Sequence, residues 1–268
     1  MVQPLFNVDK IRSNRRYARD HIGDHGFLFD KMSARILDNL QDIHRDFNDI
    51  LIVGERGCMP ILTHFKDKNV TVYDVVNDGN PEIPDCEPQS FDCVISMGYM
   101  HVVNDVQGFL KSIKSYLKPD GLFLSAFCGG VTLHELRQSI MAVELEQKNG
   151  VSQHIHPMID HYQFAGLLQA AQFALPVVDY DRTNVLYGDL DDLYTDLKNM
   201  GEGNSLLDRK STLHNIKKDV DDYCKNHFYD DGYQATFDIL YGIGWAPHDN
   251  QQKPAKRGSG QVSLTEIL

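Results

Sequence analysis

Four short apolar runs, separated by turn residues and by stretches of helical periodicity, constrain the fold of this chain more than any other feature. They are DILIV at 49–53, VTVY at 70–73, FDCVIS at 91–96 and LFLSAF at 122–127. Continuous apolar runs of this length read as strands buried on both faces. Ahead of the first, LFDKMSARILDNLQDIHRD (28–46) spaces Leu28, Phe29, Met32, Ile36, Leu37, Leu40 and Ile43 three and four apart, an amphipathic helix. Phe109 to Leu117 is helical by the same pattern, and Pro119-Asp120-Gly121 is a turn. Strand, helix and strand in repetition build a parallel α/β sheet.

The texture changes after Gly129-Gly130. Thr132 and Glu135 stand in a T-x-x-E capping-box spacing that opens a helix to about Lys148, with Gly150 beyond its end. A second helix is expected over Tyr162 to Ala171, a strand over Pro176 to Asp181, helices over Leu190 to Met200 and Thr212 to Cys224, and a last strand over Tyr233 to Ile243. The stretch His248 to Gly260 is polar and expected to be extended. The expected division is N-terminal helices at 1–46, a core at 47–182 with a helical insertion at 131–175, a second helical insertion and last strand at 183–247, and a tail at 248–268.

Charge and cysteine usage narrow the function classes. Acidic residues outnumber basic ones 38 to 26, a net charge of −12, with no long Lys/Arg run, so nucleic acid is not the expected partner. The five cysteines form no C-x-x-C pair, which fits reduced thiols and gives no zinc pattern. The first thirty residues are charged throughout, and no segment approaches the ~20 apolar residues of a membrane span. A soluble, cytoplasmic protein is expected.

In a sheet of this kind ligands sit beyond the carboxyl ends of the strands. The loop after Val53 (Gly54, Glu55, Gly57), Asp74 after the second strand, and the segment after Ser96 that begins with Met97 therefore converge on one crevice. A glycine lets backbone approach a ligand, and an acid at a strand end can accept hydrogen bonds from a ribose. Both are equally ordinary turn chemistry.

Several blocks carry a resemblance that spacing alone does not. LFNVDKIRSNRRYARD at the start, ARILDNLQDIHRDF before the first strand, HVVND at 101–105, LKPDGLFLSAFCGGVTLHELR, GVSQHIHP, LYGDLDDLYTDLKNMGEGN, GIGWAPH and KRGSGQVSL together resemble the complex I assembly factor 5 family, within the class I methyltransferases. The resemblance runs along nearly the whole chain, and its C-terminal blocks are not shared by methyltransferases in general. It implies a Rossmann-like α/β fold, mostly parallel with helical cap insertions, that binds S-adenosylmethionine. It also implies modification of an arginine on a protein partner, hydroxylation on a complex I subunit in the mitochondrial member. Two alternatives stand beside it: a binding-only assembly factor with a decayed cofactor site, and a carrier-protein or small-molecule methyltransferase.

The chain departs from the family at two places. Ile52 stands where the family carries an acid in the first strand, and Glu55-Arg56 puts two bulky charges in its glycine loop. Only sixteen residues separate Asp74 from Phe91, where the family fits a helix, a third strand and an adenine loop. S-adenosylmethionine binding is accordingly expected to be weak or lost.

His101 matches the histidine of the family's H-x-V-N-D segment and could carry a proton, or order its loop through Asn104 or Asp105. His154, His156 and His161 form an H-x-H pattern with a third histidine nearby; of these only His154 matches the family, and no metal is expected. Arg137 could hold a carboxylate. Asp189, Asp191 and Asp192 open a helix, where acids meet the positive dipole end, and they could also dock a basic, arginine-bearing segment. Tyr187, Tyr194 and Trp245 read as core or rim aromatics.

Overall fold

The computed structural model describes residues 3–75, 82–148, 150–208 and 213–252. A single six-stranded sheet in the order β2-β1-β3-β4-β6-β5 organises them. Its strands are β1 (Asp49–Val53), β2 (Asn69–Tyr73), β3 (Phe91–Met97), β4 (Leu117–Gly129), β5 (Ala174–Tyr187) and β6 (Tyr233–Trp245). The first four pair in parallel, and β6 runs antiparallel to both of its neighbours, β4 and β5. The last strand therefore reverses a sheet whose other five strands share one direction. The KRGSGQVSL block and most of the polar tail lie outside the described residues.

Eight helices accompany the sheet among the described residues: α1 (Val8–His21), α2 (Phe27–Asp42), α3 (Met59–His64), α4 (Val106–Tyr116), α5 (His134–Lys148), α6 (His161–Ala170), α7 (Leu190–Asn199) and α8 (Leu213–His227). Alternation along the strands sorts side chains to two cores. Ile50 and Ile52 of β1, with Cys93 and Ile95 of β3, pack against Leu28, Phe29, Met32 and Ile36 of α2 and against α5, α7 and α8. Leu51, Val53 and Val94 point the other way, to Phe109, Leu110 and Ile113 of α4 and Phe164 and Leu168 of α6. Each fully buried side chain of this size contributes about 1.5–3 kcal/mol. No described helix is long and apolar enough to cross a membrane.

Three local expectations change. First, α5 begins at His134, and Thr132 does not cap it. The Thr132 hydroxyl donates to the Gly129 carbonyl at 2.7 Å and accepts from the Asp238 amide at 3.0 Å, while Glu135 accepts from the Thr236 amide at 3.1 Å. Both side chains are used to lock the start of α5 onto β6, because a buried backbone group in the sheet is costlier to leave unpaired than a helix end. Second, β5 extends well past Asp181, since its pairing with β6 continues to Tyr187 opposite Tyr233. Third, the Pro119-Asp120-Gly121 turn lies inside β4 as an irregularity: Phe91 pairs with Leu117 but Cys93 with Leu122. Asp120 has φ +61° there.

Between β2 and β3 no further strand occurs among the described residues, so β2 is an edge. Asn69, Thr71 and Val72 are correspondingly exposed and none of its five residues is buried, unlike the doubly buried strand that the VTVY run predicts. On the opposite side, α7 and α8 fall between β5 and β6 in the chain and cover the α2 face together with α5.

Candidate functional site

The crevice at the carboxyl ends of β1, β2 and β3 is built by residues that reach it from widely separated parts of the chain. Asn7 caps α1, accepting from the Lys10 amide at 3.0 Å. Ile11, Arg15 and Ala18 then form the helix's buried stripe. That stripe carries a guanidinium into the interior: Arg15 is 3% exposed, donates to the Gly98 carbonyl at 2.9 Å and lies over the Tyr99 ring at 4.8 Å. Asp74 is equally buried, 3.9 Å from Arg15 Nη1.

Arg56, from the loop after β1, joins the same acceptor. It donates to the Gly98 carbonyl at 2.6 Å and to the Met200 carbonyl at 2.6 Å, pairs with Glu202 at 2.5 Å, and stacks over Phe29 at 4.3 Å. Glu202 sits just beyond α7 and also receives His101 Nε2 at 2.7 Å. Two guanidinium groups, the carboxylates of Asp74 and Glu202 and one imidazole thus form a continuous buried network. Burial by itself would raise the Glu202 carboxyl; His101, Arg56 and Arg15 outweigh it and hold the group well below the ordinary carboxylate value. Burial, with repulsion from Arg56, pulls Arg15 down to about 10, which leaves it charged at neutral pH. Such a group depends on its partners, because removing one member of a buried pair costs about 3–5 kcal/mol.

The fit of S-adenosylmethionine can be tested on the glycine loop. Gly54 has φ +99°, and a Cβ on it would lie 2.1 Å from the Met97 carbonyl oxygen. Gly57 and Gly98 both face Phe29, where added Cβ atoms would come to 2.6 Å. These glycines serve close packing of the loop onto β3 and α2, and leave no open cradle. Glu55 turns away to pair with Arg19 of α1. With Arg56 spanning the gap between Gly98 and the segment after α7, the residues present do not fit the methionine end of the cofactor in this arrangement.

Next to the crevice lies a cavity of about 170 Å³. Leu28, Leu133, Leu136, Ile140, Met158 and Phe237 give it apolar walls, and His101, His154, His156, Tyr194, Lys198 and Glu202 supply polar groups. It is lined by none of Gly54, Glu55, Gly57, Asp74 or Met97. His101 therefore bridges two compartments, with Nε2 on Glu202 and Nδ1 buried without a hydrogen-bond partner among the described residues. The loop contact anticipated for it is not made: Asn104 accepts from the Leu5 and Phe6 amides, and Asp105 caps α4.

The other histidines are ordered individually. His154 Nε2 lies 2.9 Å from Glu144 Oε1. His156 Nε2 accepts from the Ser205 amide at 3.0 Å, and burial, with the nearby His101, pulls its pKa down to about 4. His161 stacks on Tyr180. Among the described residues no three His, Cys, Asp or Glu side chains gather as a metal site requires. Arg137 donates to the His156 carbonyl at 3.0 Å and so braces the loop that forms one cavity wall. Asp189 caps α7 by accepting from the Asp192 amide at 2.9 Å, Asp191 pairs with Lys217, and Asp196 with His25 at 2.5 Å. None of these acids lines the cavity. Tyr187 is buried in the core, and Trp245 lies under Arg45 at 5.2 Å.

Arg15 and Glu202 were not legible as site residues. For Glu202 one signal exists, its place between two glycines in MGEGN. Gly201 has φ +77°, and a Cβ there would lie 3.0 Å from Ala18 Cβ, so the glycine lets the segment dock on α1 and deliver Glu202 inward.

The family described as "Methyltransferase domain" matches residues 21–176. Arginine-hydroxylase NDUFAF5, mitochondrial, of Danio rerio is 35% identical over 263 residues, covering 90% of this chain and 82% of the relative. This chain belongs to the NDUFAF5 family of methyltransferase-domain proteins. The Homo sapiens member is 34% identical over 286 residues, covering 98% of this chain and 83% of its own length. A solved methyltransferase-class protein from Bacillus halodurans superposes with a TM-score of 0.53 at 14% identity, over 79% of this chain and 98% of that one. That likeness shows the Rossmann-like methyltransferase fold and nothing finer. Membership of the NDUFAF5 family accounts for the resemblance of the C-terminal blocks, which extend well beyond the matched methyltransferase domain.

Proposed function

We propose that this chain modifies an arginine side chain of a protein partner during assembly of a respiratory complex, with the cavity beside the crevice as the reaction site and His101 as its proton carrier. The observation that carries the reading is the buried His101–Glu202 pair on the wall of a largely apolar cavity, in a chain that belongs to the NDUFAF5 family. A carboxylate fixing one imidazole nitrogen leaves the other to take or give a proton, which is the base–orienter arrangement of acid–base sites. Here Glu202 orients Nε2 and Nδ1 is the atom left to act. The apolar walls exclude water, and they suit the methylene stem of an arginine. His156 with Ser205, His154 with Glu144, and Arg137 with the His156 carbonyl hold the lining loop in place.

In this reading the helical insertions act as a cap over a methyltransferase-fold core, and the acidic turn at Asp191 and Asp192 attracts the basic, arginine-bearing segment. The partner, not this chain, makes the connection to the inner membrane. S-adenosylmethionine binding is weak or lost; a methyl group would come from it, leaving S-adenosylhomocysteine, and an added oxygen atom would come from dioxygen with a two-electron reductant, the second oxygen leaving as water, while the residues above carry only the proton. A binding-only assembly role is the second reading, favoured by the closed glycine loop. One experiment separates them: capture the partner on the tagged full chain, and map its arginines by peptide mass spectrometry with wild type and with His101→Gln. An arginine that gains one oxygen atom or one methyl group only with wild type supports the catalytic reading. A captured partner whose arginines are unmodified in both cases refutes it in favour of escort, and an arginine modified equally in both removes His101 from the chemistry.

A further inference from the structure

The surroundings of Arg56 are unusual for a surface-loop residue. Its guanidinium is almost wholly enclosed, although its neighbours Glu55 and Gly57 belong to a short loop at the sheet's edge of the crevice. Four elements of recognition meet it: the carbonyls of Gly98 and Met200, the Glu202 carboxylate, and the Phe29 ring beneath. None of them comes from its own loop. In-plane acceptors around the rim and an aromatic face below are what a planar, five-donor cation selects, and what an ammonium cannot fully use.

We infer that Gly98, Met200, Glu202 and Phe29 form a guanidinium-binding site, and that Arg56 is its intramolecular occupant. The inference deepens the reading above, because Glu202 is shared: Oε1 holds Arg56 while Oε2 holds His101, which lines the cavity. A guanidinium that arrives through the cavity reaches the same carboxylate. It competes with Arg56, and displacing Arg56 frees the loop after β1 from the segment after α7. The chain is thus held closed by its own side chain until an external arginine takes the contacts.

The test uses small probes and no protein partner, so it is independent of whether any partner is modified. Arg56→Ala removes the side chain beyond Cβ, the equivalent of N-ethylguanidinium. The full-length variant is titrated with N-ethylguanidinium and, at matched ionic strength, with ethylammonium, following Tm and ligand-observed NMR. The expected result is saturable binding of N-ethylguanidinium with a rise in Tm and roughly tenfold preference over ethylammonium, absent from wild type and lost in Arg56→Ala/Glu202→Gln. If Arg56→Ala does not fold, Arg56→Lys keeps a cation in place and should show the same preference, shifted to higher concentration. Equal binding by wild type and variant, no preference in either variant, or binding of S-adenosylmethionine by Arg56→Ala without binding of N-ethylguanidinium would each overturn the assignment.

Discussion

Lowering the pH from 7.5 to about 5 should destabilise this protein through His156. Burial lowers this histidine from 6.5 to about 4, and its Nε2 accepts from the Ser205 amide. In the folded state the ring therefore stays neutral over a range where the unfolded chain takes up a proton. Stability is full above pH 6.5 and declines as the pH falls toward 4, because the unfolded state then binds more protons. A separation of this size corresponds to about 3 kcal/mol in total, of which roughly 2 kcal/mol is lost by pH 5. Glu202 does not confuse the window: its depressed carboxyl contributes stability above the ordinary carboxylate value of 4.5 and loses it only at lower pH. The assay is urea denaturation of wild type and His156→Gln at both pH values. Wild type should lose roughly 2 kcal/mol more than the variant between them. Parallel losses in the two proteins would show that His156 protonates freely in the folded state and that its burial has been misread.

Three further outcomes follow from the same network and its surroundings. Gly54→Ala should destabilise the chain by about 2–3 kcal/mol in urea, since it meets both a φ of +99° and the Met97 carbonyl; a neutral effect would mean the loop opens easily. Glu202→Gln should cost about 3 kcal/mol at neutral pH by leaving the buried Arg56 without its charge partner, and the difference from wild type should shrink as acid titrates the native carboxylate. Asp191→Asn with Asp192→Asn should change stability by less than about 1 kcal/mol, because the Asp191–Lys217 pair is exposed. The same double variant should slow association with a basic partner and flatten its salt dependence in stopped-flow measurements; an unaltered salt slope would leave the cluster as helix-end chemistry alone.

The parts of the fold that could be read in the sequence are those written as local periodicity. DILIV, FDCVIS and LFLSAF became central strands because a run whose apolar residues fall on both faces has no face to give to water. The α2 pattern held from Phe27 to Asp42 and stopped where Ile43 turns extended. β5 was underestimated because its second half, DRTNVLY, alternates with polar residues on an exposed face, and its extent is set by pairing with β6. The capping-box spacing at Thr132 and Glu135 was real, but the two side chains are spent on β6, about a hundred residues away. Glu202 is the sharpest case: its two partners, Arg56 and His101, lie 146 and 101 residues earlier. No spacing rule carries a contact of that range. Even so, the charged pair in the glycine loop was visible as an anomaly, and Arg56 proved to be what fills the crevice.

The most direct measurement is peptide-level mass spectrometry of the partner captured by the full chain, comparing wild type with His101→Gln and Glu202→Gln at equal partner recovery. One arginine should carry an added oxygen atom or methyl group in the wild-type complex and be unmodified with either variant. An arginine modified to the same extent in all three complexes would remove His101 and Glu202 from the chemistry, and with them the cavity as the reaction site.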